Sequence, residues 1–270
     1  MAPQLIPRKQ LKAEMKALLA DAQVSPKGMT ALYYAVALVI SLALVFAPTV
    51  GIASTFLSIF STLLSTVLFA GFTLYCMAVR RNERAEYLTL FDGFAFAGKL
   101  IALSLVTTVL VALWSLLFVI PGIVAAYSYR FALYNLYENP DISVLQALDM
   151  SKKQTLGYKG QLFSLDLSYL GWEILATLPI AVESGLLSAE ATAAAFYGAA
   201  QVPAEFALHS ALPEWGWVLL AGVWVLVVSL FYLPVRTCTE LGYFEIAKMT
   251  SGVDAAPAQT ADDGDEQDSI

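Results

Sequence analysis

IALSLVTTVLVALWSLLFVIPGIVAAYSYRFALYNLYE, Ile101 to Glu138, contains no acid or base before Arg130. A bilayer core of about 30 Å takes about 20 apolar residues of helix, and this run reaches that length before Pro121-Gly122 interrupts it. Proline and glycine there leave room only for a tight reversal. The stretch therefore reads as a helical hairpin with spans at about 99–119 and 121–138. The second span is short and carries Tyr127, Ser128, Tyr129, Arg130 and Asn135, so a buried or interfacial helix is its alternative reading.

Outward from this hairpin, the same ruler marks spans at about 30–48, 51–79, 160–183 and 216–237, with a second reversal at Pro48 to Gly51. A chain that is 59% hydrophobic and 14% charged, with mean hydropathy +0.68, is not a soluble globule. The expected fold is all-α: a polytopic membrane helical bundle of about six transmembrane helices, with an inner-surface amphipathic helix and a helical outer cap. Residues 1–28 read as a cytoplasmic basic amphipathic arm, 29–250 as the membrane domain and 251–270 as a disordered acidic cytoplasmic tail.

Six of the seven net negative charges belong to that tail, which has six acids and no bases. It cannot repay its ordering entropy by burial. Elsewhere the basic residues fall in the arm, in the second-to-third and fourth-to-fifth loops and near the C-terminal exit. Short loops rich in Lys and Arg stay in the cytoplasm. Six spans with both termini inside satisfies these placements. Some 28 polar residues precede the first apolar run and no cleavage site is visible, so no cleaved signal peptide is expected.

Three polar segments remain. In residues 8–22, Leu11, Met15 and Leu18 share a face opposite Lys9 and Lys16, which suits a helix on an anionic leaflet or a solvated one. NPDISVLQALDMSKKQTLGYKG, Asn139 to Gly160, reads as an inner amphipathic helix over 140–156. Asn139 is its expected cap, Gly157 its stop, and Val144, Leu145, Leu148 and Leu156 its apolar arc opposite Gln146, Lys153 and Gln154. Lys152, Lys153 and Lys159 make it the candidate cytoplasmic contact surface. In the outer segment 184–215, Ser188 is the expected cap of a short helix through Ala200.

An ionisable group at mid-membrane costs on the order of 2.5–3.5 kcal/mol, so each needs a partner or a purpose. Arg130 and Asp166 fall about 12 Å and 9 Å from the inner boundary at 1.5 Å per residue. They are expected to pair, directly or through Tyr129 or Ser168. Glu173, about 20 Å deep, reads as a lone carboxylate, protonated and hydrogen-bonded to a neighbouring span. Arg130, Asp166, Glu173, Tyr129 and Ser168 form the candidate intramembrane polar site.

LFDGF at Leu90–Phe94, IPG at Ile120–Gly122, AYSYR, ENPDIS followed by SKK and GYKG, and LFSLDLSYLGW at Leu162–Trp172 resemble the bacterial integral membrane family known as domain of unknown function 975. The likeness is close from about residue 80 to 178. It implies a multi-span inner-membrane protein, mainly of Gram-positive lineages. A more distant similarity to the membrane domain of glycerophosphodiester phosphodiesterases suggests lipid or envelope physiology and transfers no catalytic residue.

His209 has no Cys or His neighbour, Cys76 and Cys238 read as reduced membrane cysteines, and GxxxxGK[ST], HExxH and GxSxG motifs are absent from the sequence. No enzyme, cofactor, metal or nucleic acid is expected. Expected partners are membrane lipids and other membrane proteins, with the oligomeric state open. The functional expectation is a non-enzymatic scaffold or accessory protein. The alternative is a small transporter or lipid-handling protein with a polar cavity around Glu173, Asp166 and Arg130.

Overall fold

The computed structural model describes residues 5–47, 51–197, 203 and 212–254. Helix α1 covers Arg8–Ala20, α2 Pro26–Val45 and α3 Ile52–Arg80. A 3-10 segment, Tyr87–Phe96, leads into α4, Ala97–Leu117, and the chain returns through α5, Val119–Tyr129, and α6, Ala132–Glu138. Helix α7, Val144–Gln154, turns into α8, Lys159–Leu167, followed by α9, Leu170–Tyr197, and α10, Glu214–Ser251. The described residues contain no strand, and the protein is an all-α polytopic bundle. Five stretches are long and apolar enough to cross a membrane, namely α2, α3, the 3-10 segment joined to α4, α9 and α10.

Burial divides the molecule along its length. In α3 the buried residues begin only at Val67, and in α10 most of them lie between Tyr232 and Ala247. Helix α2 buries only Met29 and Thr30, near its start. The opposite ends of the same helices expose Val39, Phe46, Ile52, Phe56, Ile59 and Phe60. Apolar surface of that extent is covered by lipid in an integral membrane protein, whereas water would penalise it. The packed end also carries Arg8, Lys12, Arg80, Arg81, Arg130, Arg236 and Lys248 in contacts, and we call it the basic end.

Helix α10 explains how this end is built. Its 38 residues extend about 57 Å at 1.5 Å each, well beyond a hydrocarbon core of about 30 Å. Counted from Glu214, the core is crossed near Pro234, and the remaining turns become the post around which α1, α3, α6, α7 and α8 pack. The aromatic contacts Phe131–Phe244 and Tyr134–Phe244, with ring centroids 5.5 and 5.4 Å apart, fill that interior. At Gly71 of α3 the 3-10 segment comes so close that an added Cβ would collide with the Leu90 carbonyl.

The hairpin reverses at Phe118, in extended conformation, rather than at Pro121-Gly122. Pro121 falls in the first turn of α5, where amide groups lack helical partners anyway. Gly122 has a different role, because any side chain there would strike Ser115 of α4. Arg130 contacts Glu240, Tyr134 contacts Phe244 and Glu138 contacts Lys248, each pair 110 residues apart, so α6 runs parallel to the end of α10. Continued at 1.5 Å per residue, α5 brings Phe118 at most level with Val228, about 21 Å short of Glu214. The hairpin tip, with Leu116, Leu117, Phe118, Val119 and Ile120 all exposed, thus ends well short of the far end of α10.

Several sequence expectations change. The span expected at 121–138 is two short helices meeting at Arg130–Phe131, and 160–183 is α8 and α9 separated at Ser168–Tyr169. The span expected to end at 237 continues to Ser251, because a membrane ruler limits the apolar stretch and not the helix. Ser188 lies inside α9 and caps nothing there. Asn139 does not cap α7; Ser143 does, accepting from the Gln146 amide while the Gln146 side chain returns to Ser143 N–H. On α7 the buried face is Ala147, Leu148, Ser151 and Gln154, while Leu145 and Leu156 are exposed. Gln154 turns inward because it exchanges two 2.8 Å hydrogen bonds with Asn135. The apolar face of α1, Leu11, Met15 and Leu19, is covered by the protein's own core and not left for a leaflet. The reversal at 48–50, Ala200, His209 and the tail from 255 lie outside the described residues.

Gly71→Ala should destabilise the purified protein by about 1–3 kcal/mol through overpacking. A thermal melt in mild detergent should show this, while Gly98→Ala, whose Cβ meets nothing within 4 Å, leaves the melting temperature unchanged.

Candidate functional site

Arg130 occupies the joint between α5 and α6, pointing toward α8 and α10. Its Nε and Nη2 donate to the two carboxylate oxygens of Glu240, each at 2.7 Å. Its Nη1 and Nη2 donate to the two oxygens of Asp166, the latter at 2.9 Å. The guanidinium is thus forked on both sides, the geometry in which arginine binds carboxylates most strongly. Tyr134 Oη donates to Glu240 at 2.8 Å and Tyr127 Oη to Asp166 at 2.7 Å. Two turns of α10 project Arg236 and Glu240 onto this cluster. Arg236 reaches Asp166 at 3.3 Å and Glu173 at 2.7 Å.

Asp166, on the short helix α8, is pushed up by burial, yet the Arg130 hydrogen bonds and charge, with Tyr127 and Arg236, more than reverse this and hold it below its ordinary value. Burial likewise opposes the charge on Arg130, and its two carboxylates outweigh that. Three carboxylates share two guanidiniums here, so each acid touches a guanidinium while the set as a whole keeps one net negative charge.

Arg130 and Asp166 therefore meet directly. The expected intermediaries do not join them: Tyr129 lies under Lys152, whose Nζ is 5.3 Å from its ring, and Ser168 accepts from Lys12 Nζ at 2.7 Å. Nor is Glu173 a lone acid, because α10 stays helical past the membrane ruler and turns Arg236 back toward α9. Glu240, Tyr127 and Tyr134 were not identified as site residues from sequence. The signal available was the run TELGYFEIAK, in which Glu240 is followed by Leu241, Gly242, Tyr243 and Phe244.

Around the cluster, α1 acts as a strap. Arg8 donates to Ser164 Oγ at 2.7 Å, the Ile6 amide donates to Gln161, and Lys12 Nζ lies 3.7 Å from the Tyr169 ring centre. Burial, then the neighbouring Arg8 charge, lowers the Lys12 pKa. Farther toward the basic end, Glu138 accepts from Arg81 at 2.6 Å and from Lys248 at 3.0 Å. Of the candidate contact lysines, Lys153 pairs with Asp149 one turn earlier at 2.7 Å. Lys152, Lys153 and Lys159 line one wall of a cavity of about 370 Å³, with Trp114, Pro121 and Val124 of the hairpin opposite.

Arg130→Ala should cost about 3–5 kcal/mol, since it leaves Glu240 and Asp166 facing each other in a buried setting. Tyr129→Phe should stay within about 0.5 kcal/mol. Because the folded-state pKa of Asp166 is depressed, its contribution is complete above its unfolded value of about 3.9 and is lost as pH falls through the folded value. Melting curves between neutral and strongly acidic pH should show a larger acid loss in the wild type than in Asp166→Asn, which keeps only the share of Glu240 and the other acids.

No curated protein and no solved structure matches the chain. Residues 116–202, which carry Arg130, Asp166, Glu173 and the three lysines but neither Arg236 nor Glu240, match the family described as Protein of unknown function (DUF975).

Proposed function

We propose that this membrane-embedded protein is a non-enzymatic scaffold or accessory protein that binds lipids or other membrane proteins. One observation carries the reading. The ionisable residues that would line a transport route, Arg130, Asp166, Glu173, Arg236 and Glu240, are engaged with one another in a closed set of ion pairs. Moving a substrate past them would break bonds that hold four helices together. The same cluster welds the basic end into a packed unit presented by lipid-facing helices, which suits a protein that acts by position.

Charge sets the orientation in this reading. The loops rich in Lys and Arg all converge on the basic end, so that end and both termini face the cytoplasm of a bacterial cell membrane. An impermeant thiol reagent added to intact cells should label a cysteine at the exposed Tyr197 and leave one at Lys153 unlabelled. The reverse pattern would overturn the orientation.

Native mass spectrometry of the full chain extracted in mild detergent tests the role itself. Retained phospholipids or a stoichiometric membrane-protein partner are the expected result. Release of the bare chain, together with solute uptake by proteoliposomes that depends on Glu173, would support transport instead.

A further inference from the structure

An exposed apolar hairpin and three lysines, of which one has a carboxylate partner, meet in one groove. Its floor and one wall belong to the hairpin, through Trp114, Pro121 and Val124, and its other wall is the α7–α8 turn, with Leu156 and the three lysines. Leu156 is 67% exposed beside them, a position that water disfavours. Lys152 is steadied over the Tyr129 ring, and Lys159 opens α8, where the positive end of the helix dipole adds to its charge. Asp149 offsets only one of the three lysines, so the groove is positive along its α7–α8 wall and apolar along its hairpin wall.

The geometry points to an anionic phospholipid as the occupant, with its headgroup phosphate on Lys152, Lys153 and Lys159 and an acyl chain along the hairpin toward the exposed tip at Leu116–Ile120. This rests on the reading of the protein as a lipid-binding scaffold and adds the site and the ligand class. Two features select a lipid over a soluble anion. The groove contains no arginine to fork a phosphate, only flexible lysines that act as point charges at a membrane surface. Its hairpin wall is apolar and continuous with the hairpin tip, which a free phosphate would leave uncovered. A zwitterionic lipid fits the apolar wall but gains little from the lysines.

The test uses the full-length protein in mild detergent, titrated with phosphatidylglycerol or phosphatidylcholine and read by native mass spectrometry. Wild type should bind phosphatidylglycerol at least about tenfold more tightly than phosphatidylcholine, given roughly 1 kcal/mol for each basic residue near an anionic headgroup. Combined Lys152→Gln, Lys153→Gln and Lys159→Gln should remove most of that preference. The same charge removed elsewhere, by Lys9→Gln, Lys16→Gln and Arg84→Gln at exposed positions, should change it less than about twofold. Leu156→Gln should weaken both lipids, and millimolar inorganic phosphate should displace neither.

Equal losses from the groove and control variants would mean general electrostatic attraction and overturn the site. Displacement by inorganic phosphate would also overturn it, in favour of a soluble anion. If lipids remain bound but are indifferent to the groove substitutions, the site fails while the scaffold reading stands. If wild type retains neither lipid nor protein, the scaffold reading fails with it.

Discussion

The arrangement of the basic end depends on a single guanidinium placed between two carboxylates. Arg130 uses both sides of its donor fork, one for Glu240 of α10 and one for Asp166 of α8, and Arg236 extends the pairing to Glu173 of α9. Burying isolated charges costs several kcal/mol apiece, and the cost is recovered here only because nearly every donor and acceptor in the cluster is matched. That requirement constrains the backbone as well. The chain breaks its helix at Arg130–Phe131 and again at Ser168–Tyr169, at or just after each of the two residues that must face α10.

The two ends of the molecule obey different solvents. Toward the far end, helices α2, α3 and α9 expose apolar side chains and make few buried contacts of their own. At the basic end the chain packs as a water-soluble domain does, with reciprocal hydrogen bonds between Asn135 and Gln154, a Ser143–Gln146 capping box and interlocked rings of Phe131, Tyr134 and Phe244. Helix α10 belongs to both regimes, which is why it is far longer than a bilayer requires. The hairpin of α4 and α5 stands between them, anchored at the basic end and apolar at a tip that reaches only to about the level of Val228.

Much of this was legible in the sequence, because membrane insertion is written in the length of apolar runs. The helical class, the hairpin at 101–138 and the pairing of Arg130 with Asp166 all follow from counting residues along helices. The counting failed where tertiary contacts override it. Gln154 sits on what looks like the polar face of α7 until Asn135 supplies its partner. Pro121 looks like the point of reversal, yet a helix accepts proline in its first turn, so the bend moved to Phe118. Glu240 stands past the expected span end at 237, and nothing local shows that a helix continues beyond the lipid. The lysines Lys152, Lys153 and Lys159 were recognisable as a surface, whereas the hairpin wall opposite them became visible only once the chain was folded.

The central claim is that Arg130 and its carboxylates hold the basic end together as one unit. Hydrogen–deuterium exchange of the full chain in detergent, comparing wild type with Glu240→Gln, tests it most directly. Amides of α6, α7, α8 and the last turns of α10 should lose protection together, while those of α2 and the first half of α3 are unchanged. Loss of protection confined to the residues beside Glu240 would contradict it.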